Sequence, residues 1–403
     1  MNKIKISILS LLFTGLGFQS VNAQDDAPFK KTFKMEGRIM YDFTFLSADA
    51  AVEGGEAYSF AGNEFRRTRL AVKGKVAKNI GYKAEFDFAG GKMGFRDVFL
   101  KFSLPSKMGA VKVGSFSEPS SLDNMTSSKY ITFMERSMMS HTQPFKYNAG
   151  FMYDNQNLLD GKMGLQMSYT FGGDKAKAYK DGYLKEGANF VGRLTGVAFQ
   201  NKESNQVVHL GINFENRVTD SGEYGYKFRL ENHMGDKFGA GTDDLKNAQD
   251  LGFELGTTFG SLSVQAEYEM STINTNAEDN NAYSSAGYYG FVSYFLTGEH
   301  RPYKKSSFGR VKPKKNFCIK DGGFGAFELV ARYSAMDYSA YPGVSELEKN
   351  DNVISNITAG FNWYLNANTR IMYNYTNGDF HDIEAYGEGN NLSGHLVRFQ
   401  IDF

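Results

Sequence analysis

The chain alternates between apolar and polar residues, and the first clear run begins at residue 33. Its odd positions are Phe33, Met35, Gly37, Ile39, Tyr41, Phe43 and Phe45, and its even positions are Lys34, Glu36, Arg38, Met40, Asp42 and Thr44. A period of two is typical of a β-strand with one apolar and one polar face. Because the polar face carries several charges, we expect that face to meet water.

Similar runs, each close to the 9–11 residues that a tilted membrane-spanning strand needs, recur along the chain. Together they predict an all-β, 16-stranded antiparallel barrel, with strands near 33–45, 65–77, 79–90, 94–104, 109–117, 147–155, 161–172, 189–200, 206–216, 249–259, 261–271, 286–298, 324–338, 354–366, 368–378 and 394–403.

The last run, 394–403, continues to a terminal aromatic residue, Phe403. A soluble sheet seldom exposes such an apolar edge, because an unpaired edge invites aggregation. A closed barrel has no edge, since its last strand pairs with its first. We therefore predict closure of the barrel through this strand. An ordinary C-terminal strand of a secreted soluble β-sandwich is the alternative.

The links between the runs differ in length. The short links 77–79, 259–261 and 366–368 predict periplasmic turns, and the long links 46–64, 118–146, 271–286 and 379–393 predict outer loops. Bacterial barrels have even strand numbers. The sixteen runs already satisfy this rule, so a further strand within 217–248 would break it, and this stretch is predicted to be a single outer loop. The strand-like segment 224–231 then belongs to that loop. Counting 224–231 as a strand and losing the weak run 109–117 would also give an even number.

Residues 1–23 have the features of a secretory signal: Lys3 and Lys5, an apolar stretch over 6–18 and a small-residue site ending at Ala23. We expect a signal peptide over 1–23 and a transmembrane barrel over 24–403. No run of 18 apolar residues follows, so helical spans are not expected. Removing the two signal lysines from 45 basic residues leaves 43 against 45 acidic ones. This balance gives no reason to expect a nucleic-acid partner.

Candidate chemistry is sparse. The sequence has one cysteine, Cys318, and six scattered histidines, and their spacing matches no metal-ligand motif. We therefore expect neither a metal site nor a cofactor. Ser140 beside His141, or His381 near Asp379 and Asp382, could support hydrolysis. Neither group lies in a supporting motif, and we do not expect an enzyme.

Two long links carry distinct compositions. Segment 118–146 is rich in apolar residues, which predicts that it folds into the barrel as a constriction loop. An outer loop packed against a neighbouring copy of the chain is the alternative. Segment 299–323 is strongly basic and is expected on the periplasmic side. It predicts either a cationic exit vestibule or a solvated loop. Its basic residues are Arg301, Lys304, Lys305, Arg310, Lys312, Lys314, Lys315 and Lys320, against Glu299 and Asp321.

Several stretches resemble the phosphate-selective porin family, the porins O and P of bacterial outer membranes. They are Phe65-Arg-Arg-Thr-Arg-Leu-Ala-Val-Lys-Gly74, Ala84-Glu-Phe-Asp-Phe-Ala89, Asp97-Val-Phe-Leu100, Thr126-Ser-Ser-Lys-Tyr-Ile-Thr-Phe-Met-Glu-Arg-Ser137, Ser293-Tyr-Phe-Leu-Thr-Gly-Glu-His-Arg-Pro-Tyr303 and Glu328-Leu-Val-Ala-Arg-Tyr-Ser334. The similarity spans nearly the whole mature chain.

The resemblance implies a homotrimer of 16-stranded barrels with inward-folded outer loops and basic pore linings. The matching positions are Arg38, Arg66, Arg67 and Arg136 for the basic lining, Arg229 for an inward-folded loop, and Asp97, Ser127 and Ser128 for the constriction. Asp97 would weaken anion binding and help release; a salt bridge to a neighbouring strand is the alternative. Asn124 stands where anion-binding members carry a lysine, which lowers the expected affinity for phosphate.

We therefore predict an outer-membrane porin for passive diffusion of small solutes, preferring anions and with phosphate as a candidate. Its partners would be outer-membrane lipid and small anionic solutes. Inward positions also carry acids, namely Glu36, Asp42, Glu85, Asp87, Glu267 and Glu269. A general non-selective porin therefore stays open, as does a structural or adhesive barrel with a plugged lumen.

Overall fold

The protein is a closed antiparallel β-barrel of 16 strands, which confirms the predicted fold class. The structure, a computed structural model, describes residues 29–51, 57–142, 147–171, 187–219, 222–225, 228–235, 237, 241–276, 282–337, 353–379 and 391–403. The signal segment 1–23 lies outside these ranges.

The strands are numbered in chain order, and β10 and β11 form a separate two-stranded sheet. The bounds are β1 Thr32–Ala51, β2 Ala57–Lys75, β3 Ile80–Asp87, β4 Gly94–Ser103, β5 Ala110–Ser117, β6 Tyr147–Leu158, β7 Met163–Phe171, β8 Ala188–Asn201, β9 Gln206–Val218, β10 Tyr224–Gly225, β11 Gly241–Thr242, β12 Leu245–Phe259, β13 Leu262–Thr275, β14 Ala282–Phe295, β15 Ala326–Asp337, β16 Val353–Tyr364, β17 Thr369–Asp379 and β18 Asn391–Asp402. Two short helices, α1 (Leu122–Met125) and α2 (Met138–Thr142), lie between β5 and β6. In the described ranges, no helix has the length and apolar character needed to cross a bilayer.

The last strand closes the barrel on the first. β1 and β18 pair antiparallel from Arg38 opposite Asp402 to Ala48 opposite Leu392. The backbone N–H of Gly37 also donates to the Phe403 carbonyl at 2.9 Å. The closing strand inferred from the C-terminal alternation is therefore confirmed.

The parity argument about 217–248 is also confirmed. β9 pairs directly with β12, from Arg217 opposite Ala248 to Gln206 opposite Phe259. Tyr224 and Gly225 pair only with Thr242 and Gly241, inside the β9–β12 loop. The weak run 109–117 is a barrel strand, β5, so the alternative strand count is wrong.

The first outer link is shorter than expected. Residues 46–64 were predicted to be a loop, but β1 continues to Ala51 and β2 begins at Ala57. These strands have 20 and 19 residues, well above the 9–11 needed to span a bilayer. The hairpin therefore extends beyond the membrane layer, and its added backbone hydrogen bonds explain why it is not an irregular loop.

The two faces of the barrel separate apolar from polar side chains. On β1, Phe33, Met35 and Phe45 are exposed on the outer face, whereas Asp42 and Thr44 are buried inside. The closing strand does the same, with Phe399 and Ile401 exposed and Arg398, Gln400 and Asp402 buried. An apolar belt around a polar lumen is the pattern of barrels embedded in lipid.

The two ends of the barrel also differ. The start of β1, the end of β18 and the short turns lie at one end, which we call the turn end. The segment between β14 and β15 is also there. The longer links, including those between β5 and β6 and between β9 and β12, lie at the other end, the loop end.

Candidate functional site

The β5–β6 link folds into the lumen, as its apolar composition predicted. Its described part, residues 118–142, is called the constriction loop. The side chains of Leu122, Ile131, Phe133, Met134 and Met138 are all buried, and several of them pack in one hydrophobic cluster with residues of the barrel wall. Burial of these groups stabilises the inward position of the loop.

Polar side chains of β15 to β18 hold the backbone of the constriction loop against that wall. Arg370 donates to the Ile131 carbonyl at 2.9 Å, and the Met134 N–H donates to Asn374 at 2.8 Å. Further donors are Arg332 to the Glu135 carbonyl, Asn362 to that of Thr132, Arg398 to that of Met134 and Gln400 to that of Lys129. Because buried backbone groups need partners, these contacts fix the path of the loop.

The start of the loop is anchored on β13. Helix α1 begins after Ser121, whose side chain accepts a hydrogen bond from the Asn124 N–H. The N–H groups of Leu122 and Asp123 donate to the Glu267 carboxylate at 2.9 and 2.8 Å. A carboxylate at a helix N-terminus is favourable, since free N–H groups point toward it.

The β9–β12 link enters the lumen at a second place. Its Glu231 is buried and accepts hydrogen bonds from Arg332, Ser334, Asn356 and Thr358 on β15 and β16. Two residues further on, His233 bonds to Glu64 of β2 at 2.6 Å. This link therefore reaches from the β15–β16 wall to β2.

The basic segment between β14 and β15 enters from the turn end. The Thr195 and Ser306 hydroxyls are 2.7 Å apart, and Tyr303 bonds to His209 at 2.7 Å. Arg301 was expected in an exposed periplasmic basic cluster. The structure instead buries it at 4% exposure, with its guanidinium 3.9 Å from the Phe308 ring centre. Lys304, Lys305, Lys312, Lys314 and Lys315 are exposed, as expected.

These inward segments leave space along the wall formed by β1 to β6. Two cavities, of about 440 and 210 Å³, adjoin there. They share the lining residues Arg38, Arg69, Lys83, Glu85 and Ser127. We call this pair of cavities the lumenal path. Its wider part is lined by Arg66, Arg67 and Arg136, and its narrower part by Glu36, Lys129 and Tyr130 near the turn end.

The lumenal path is rich in positive charge. Nine basic side chains line it against three carboxylates; the basic ones are Arg38, Arg66, Arg67, Arg69, Lys83, Arg96, Lys112, Lys129 and Arg136, and the acids are Glu36, Glu85 and Asp97. Asp87, Glu135 and Asp154 pair with these cations from outside the lining. Among the described residues, nine cations therefore face six carboxylates, an excess of three charges.

Two β-bulges raise the number of charged groups facing the path. Between β1 and β2, Met40 lies opposite Arg67 and Tyr41 opposite Phe65, so Arg66 is an extra residue. Between β3 and β4, Ala84 lies opposite Val98 and Phe86 opposite Phe95. Arg66 with Arg67, and Arg96 with Asp97, thus reach the same face although they are neighbours in sequence.

Most of the predicted pore residues lie along the lumenal path, and each has its own partners there. Arg38 donates to Ser128 at 2.7 Å, and Ser127 lines both cavities. Asp97 forms the salt bridge that was the alternative prediction, 2.6 Å from Lys83 of the neighbouring strand; it also lines the path.

Two predicted arginines have contacts within the inward loops. Arg136 lines the path and donates to the carbonyls of Asp123 and Thr126, at 2.9 and 2.7 Å. Arg229 donates to the Gly235 carbonyl at 2.9 Å within its own loop. Arg229 is not part of the described lining of either cavity.

Glu135 connects the constriction loop to the path. Its carboxylate takes two 2.8 Å hydrogen bonds from Arg66 and one from Arg398, and Arg67 lies 3.6 Å away. Burial alone would raise the pKa of Glu135, but Arg66, Arg67 and Arg398 hold it well below the ordinary value. The carboxylate is therefore charged and offsets part of the arginine field.

The opposite wall carries close ion pairs together with further buried acids, namely Glu215, Asp250, Glu267, Glu269 and Glu328. Arg193 makes a bidentate pair with Glu254 at 2.7 and 2.6 Å, and Arg217 lies 2.9 Å from Glu118. Arg398 likewise pairs with Asp42 at 2.7 and 2.6 Å. Close, neutral pairs produce little field at a distance, and the excess of cations in the lumen lies beside β1 to β6.

Arg96 and Lys112 were missed as site residues. Arg96 pairs with Asp87 at 2.9 Å and lies over the Tyr147 ring; Lys112 pairs with Asp154 at 2.9 Å. A signal for Arg96 exists in the sequence. The outward-facing apolar residues switch from odd to even positions between Phe95 and Leu100, as they do between Phe65 and Leu70. A regular strand keeps one face at every second residue, so such a switch indicates an extra residue, that is, a bulge.

The remaining candidate chemistry concerned metal binding and hydrolysis. The described part of the chain holds no group of three or more His, Cys, Asp or Glu side chains placed for a metal ion. The Ser140 hydroxyl donates to Asp123 at 2.9 Å. His381 and the side chain of His141 lie outside the described residues.

A closed barrel with an apolar belt, a polar lumen and an inward loop that narrows it defines a channel of the porin class. The sequence model "Phosphate-selective porin O and P" matches residues 33–403. Porin O of Pseudomonas aeruginosa is 26% identical over 423 residues, covering 92% of this chain and 88% of that protein. The chain therefore belongs to the phosphate-selective porin O and P family, and it is a porin of the bacterial outer membrane.

Solved structures of porins have the same fold. An anion-selective porin from Comamonas acidovorans superposes with a TM-score of 0.57 at 14% identity, covering 93% of this chain and all of that one. The trimer form of OmpT from Vibrio cholerae gives a TM-score of 0.54 at 13% identity, with coverage of 93% and 100%.

Proposed function

We propose that this porin lets small inorganic anions, phosphate among them, diffuse through the lumenal path, which binds them only weakly. The observation that carries the proposal is the excess of cations on one wall, nine against six, beside the two cavities of the lumenal path. The acids of the opposite wall, such as Asp250 and Glu269, lie outside the lining of both cavities.

An anion entering a narrow path loses part of its hydration shell, and charged donors must replace it. Arginine is suited to this, because its planar group offers paired N–H donors to phosphate oxygens. Arg67 is the best placed, since its described contacts are the Met40 sulfur at 3.5 Å and Glu135 at 3.6 Å. Its side chain also lines the wider cavity, where a passing solute would meet it.

The cations are distributed along the axis. Along β2, Arg66 lies nearer the loop end and Arg69 nearer the turn end, with Arg38 opposite Arg69 on β1. Lys83 continues the series toward the turn end on β3. Several modest sites allow an anion to move on, whereas one deep site would trap it. The carboxylates of Glu85 and Asp97 beside Lys83 make each site shallower.

Weak binding of phosphate is expected from Asn124. This neutral side chain lines the wider cavity at the position where the family resemblance implies a lysine. The family description as phosphate-selective, and the name of the Comamonas acidovorans structure as anion-selective, support the anion preference.

Assembly as a homotrimer in outer-membrane lipid is part of the proposal. The exposed apolar belt provides contact surface for lipid and for neighbouring copies, and the trimer form of the Vibrio cholerae OmpT supports this state. The proposal also includes export of the chain by a signal peptide, residues 1–23, that is then removed.

The test is the reversal potential across a planar bilayer in a salt gradient. The wild type should prefer anions, and Arg67→Ala and Arg136→Ala should each reduce that preference. Lys202→Ala, on the exposed β8–β9 turn, removes the same charge away from the path and should leave it unchanged. A reversal potential near zero in the wild type would instead indicate a non-selective porin, and an absence of conductance would indicate a plugged barrel.

A further inference from the structure

The segment between β14 and β15 leaves the lumen and forms a small hairpin outside the barrel rim. We call residues 315–324 the rim hairpin. Cys318 and Gly323 exchange two backbone hydrogen bonds, of 2.9 and 3.0 Å. The N–H of Phe317 donates to the Leu365 carbonyl at 2.7 Å. This bond ties the hairpin to the β16–β17 turn, at the turn end of the barrel.

The rim hairpin packs on the outer face of β16, against Trp363. The neighbours of Trp363 on that strand, Asn362 and Tyr364, are buried in the lumen, so Trp363 points outward. The Phe317 ring meets Trp363 edge-on with ring centres 5.1 Å apart. The indole N–H donates to the Phe324 carbonyl at 2.7 Å. An outward aromatic residue near the end of a strand is typical of the membrane–water interface.

Three apolar side chains of the hairpin are exposed, with Phe317 the least so at 38%. Ile319 is 83% exposed and Phe324 72%, and Leu296 at the end of β14 is 60% exposed. Apolar groups at the edge of a lipid belt are stabilised by entering it. The hairpin therefore continues the lipid-facing surface of the barrel.

Basic side chains accompany these apolar ones. Lys315 and Lys320 belong to the hairpin, and Lys312 and Lys314 precede it, against one acid, Asp321. All four lysines are exposed. The Lys315 ammonium group donates to the Asp321 carbonyl, which fixes its stem along the hairpin. Lysines beside apolar groups at an interface match the phosphate groups of lipids.

We propose that the rim hairpin is a binding site for anionic phospholipid in the periplasmic leaflet of the outer membrane. Ile319 and Phe324 enter the boundary between acyl chains and headgroups, and Lys315 and Lys320 bind the lipid phosphates. The occupant is lipid rather than a second copy of the chain, because the hairpin adjoins the lipid belt and carries an excess of positive charge. The inference needs only a barrel in a membrane and is independent of the anion preference of the path.

Trp363 provides the probe, because it is the only tryptophan in the sequence. The full mature protein is reconstituted in vesicles of phosphatidylcholine with a minor fraction of phosphatidylglycerol, and bromine atoms are placed on the acyl chains of one lipid at a time. Bromine quenches tryptophan fluorescence at short range, so the quenching reports which lipid lies beside the rim hairpin.

We expect phosphatidylglycerol to be enriched beside Trp363, by about fivefold for each lysine. Lys315→Gln with Lys320→Gln should return the lipid ratio to that of the bulk membrane. The matched control is Lys304→Gln with Lys305→Gln, which removes two exposed charges of the same β14–β15 segment outside the hairpin and should keep the enrichment. High salt should abolish the enrichment in the wild type, since it screens exposed charges.

Two results would overturn the inference. One is equal quenching by both brominated lipids in the wild type, because the site would then have no preference for the anionic headgroup. The other is protection of Trp363 from both lipids, which would mean that protein covers the hairpin. The lysine variants change only exposed side chains, and the conductance of the reconstituted channel verifies that each variant is folded.

Discussion

Replacement of Glu135 by Gln tests how the constriction loop adjusts the charge of the path. The Glu135 carboxylate bonds to Arg66 and Arg398 and lies near Arg67. Gln has nearly the same shape but no charge. The backbone contacts that hold the loop, such as Arg332 to the Glu135 carbonyl, do not depend on this carboxylate, so the loop should stay in place.

The magnitude follows from the added charge. The excess of cations around the path rises from three to four. For an anion ~8 Å from the site, and an effective dielectric constant of ~40 in a water-filled path, one unit charge contributes about 1 kcal/mol. Anion binding should then tighten about fivefold. Removing one partner of a buried ion pair costs roughly 3–5 kcal/mol of folding stability, and Asp42 still pairs with Arg398 to limit that loss.

The assay is block of the single-channel chloride current by added phosphate. Glu135→Gln should lower the half-blocking concentration about fivefold and shift the reversal potential further toward that of chloride. Glu203→Gln, on the exposed β8–β9 turn, removes an acid far from the path and should change neither quantity. If the folded Glu135→Gln channel showed the wild-type block and reversal potential, the reasoning that Glu135 offsets the arginine field would be refuted.

Two other predictions concern the same loop. Glu267→Ala removes the acceptor of two α1 N–H groups, each worth about 1.5–3 kcal/mol; the freed end of the loop should give larger, noisier single-channel currents, and currents identical to wild type would contradict the anchoring role. Burial, aided by the charge of Arg38, lowers the pKa of Lys129, so this lysine loses its charge at a lower pH than an ordinary one. Anion preference should therefore decline as the pH becomes alkaline, and Lys129→Gln should flatten that decline; a variant with the wild-type pH dependence would show that Lys129 does not contribute.

The inward segments divide the lumen into two regions. On the side of β8 to β18, buried ion pairs such as Arg193 with Glu254 hold segments in fixed positions. On the side of β1 to β6, the arginines and lysines face open space. The same residue types thus hold inward segments on one wall and line the lumenal path on the other.

The barrel itself could be predicted from the sequence, because its signal is local. The alternation from Phe33 onward places apolar and polar side chains on opposite faces, and period two is a property of neighbouring residues. Closure also followed, since the run ending at Phe403 would otherwise leave an apolar edge. The inward position of the constriction loop was predictable, because exposing apolar side chains such as Phe133 and Met134 to water would be unfavourable.

Tertiary structure decided which groups meet across the lumen. The contact of Leu122 with Glu267 joins residues 145 positions apart, and it exists only because closure of the barrel brings β13 opposite the β5–β6 link. Burial of Arg301 between aromatic rings was missed because its basic neighbours predicted an exposed cluster. The folded segment instead places its guanidinium against Phe291 of β14 and Phe308 of the same segment. Alternation determines the face on which a side chain lies, but the partner it finds there depends on how the whole sheet curves and closes.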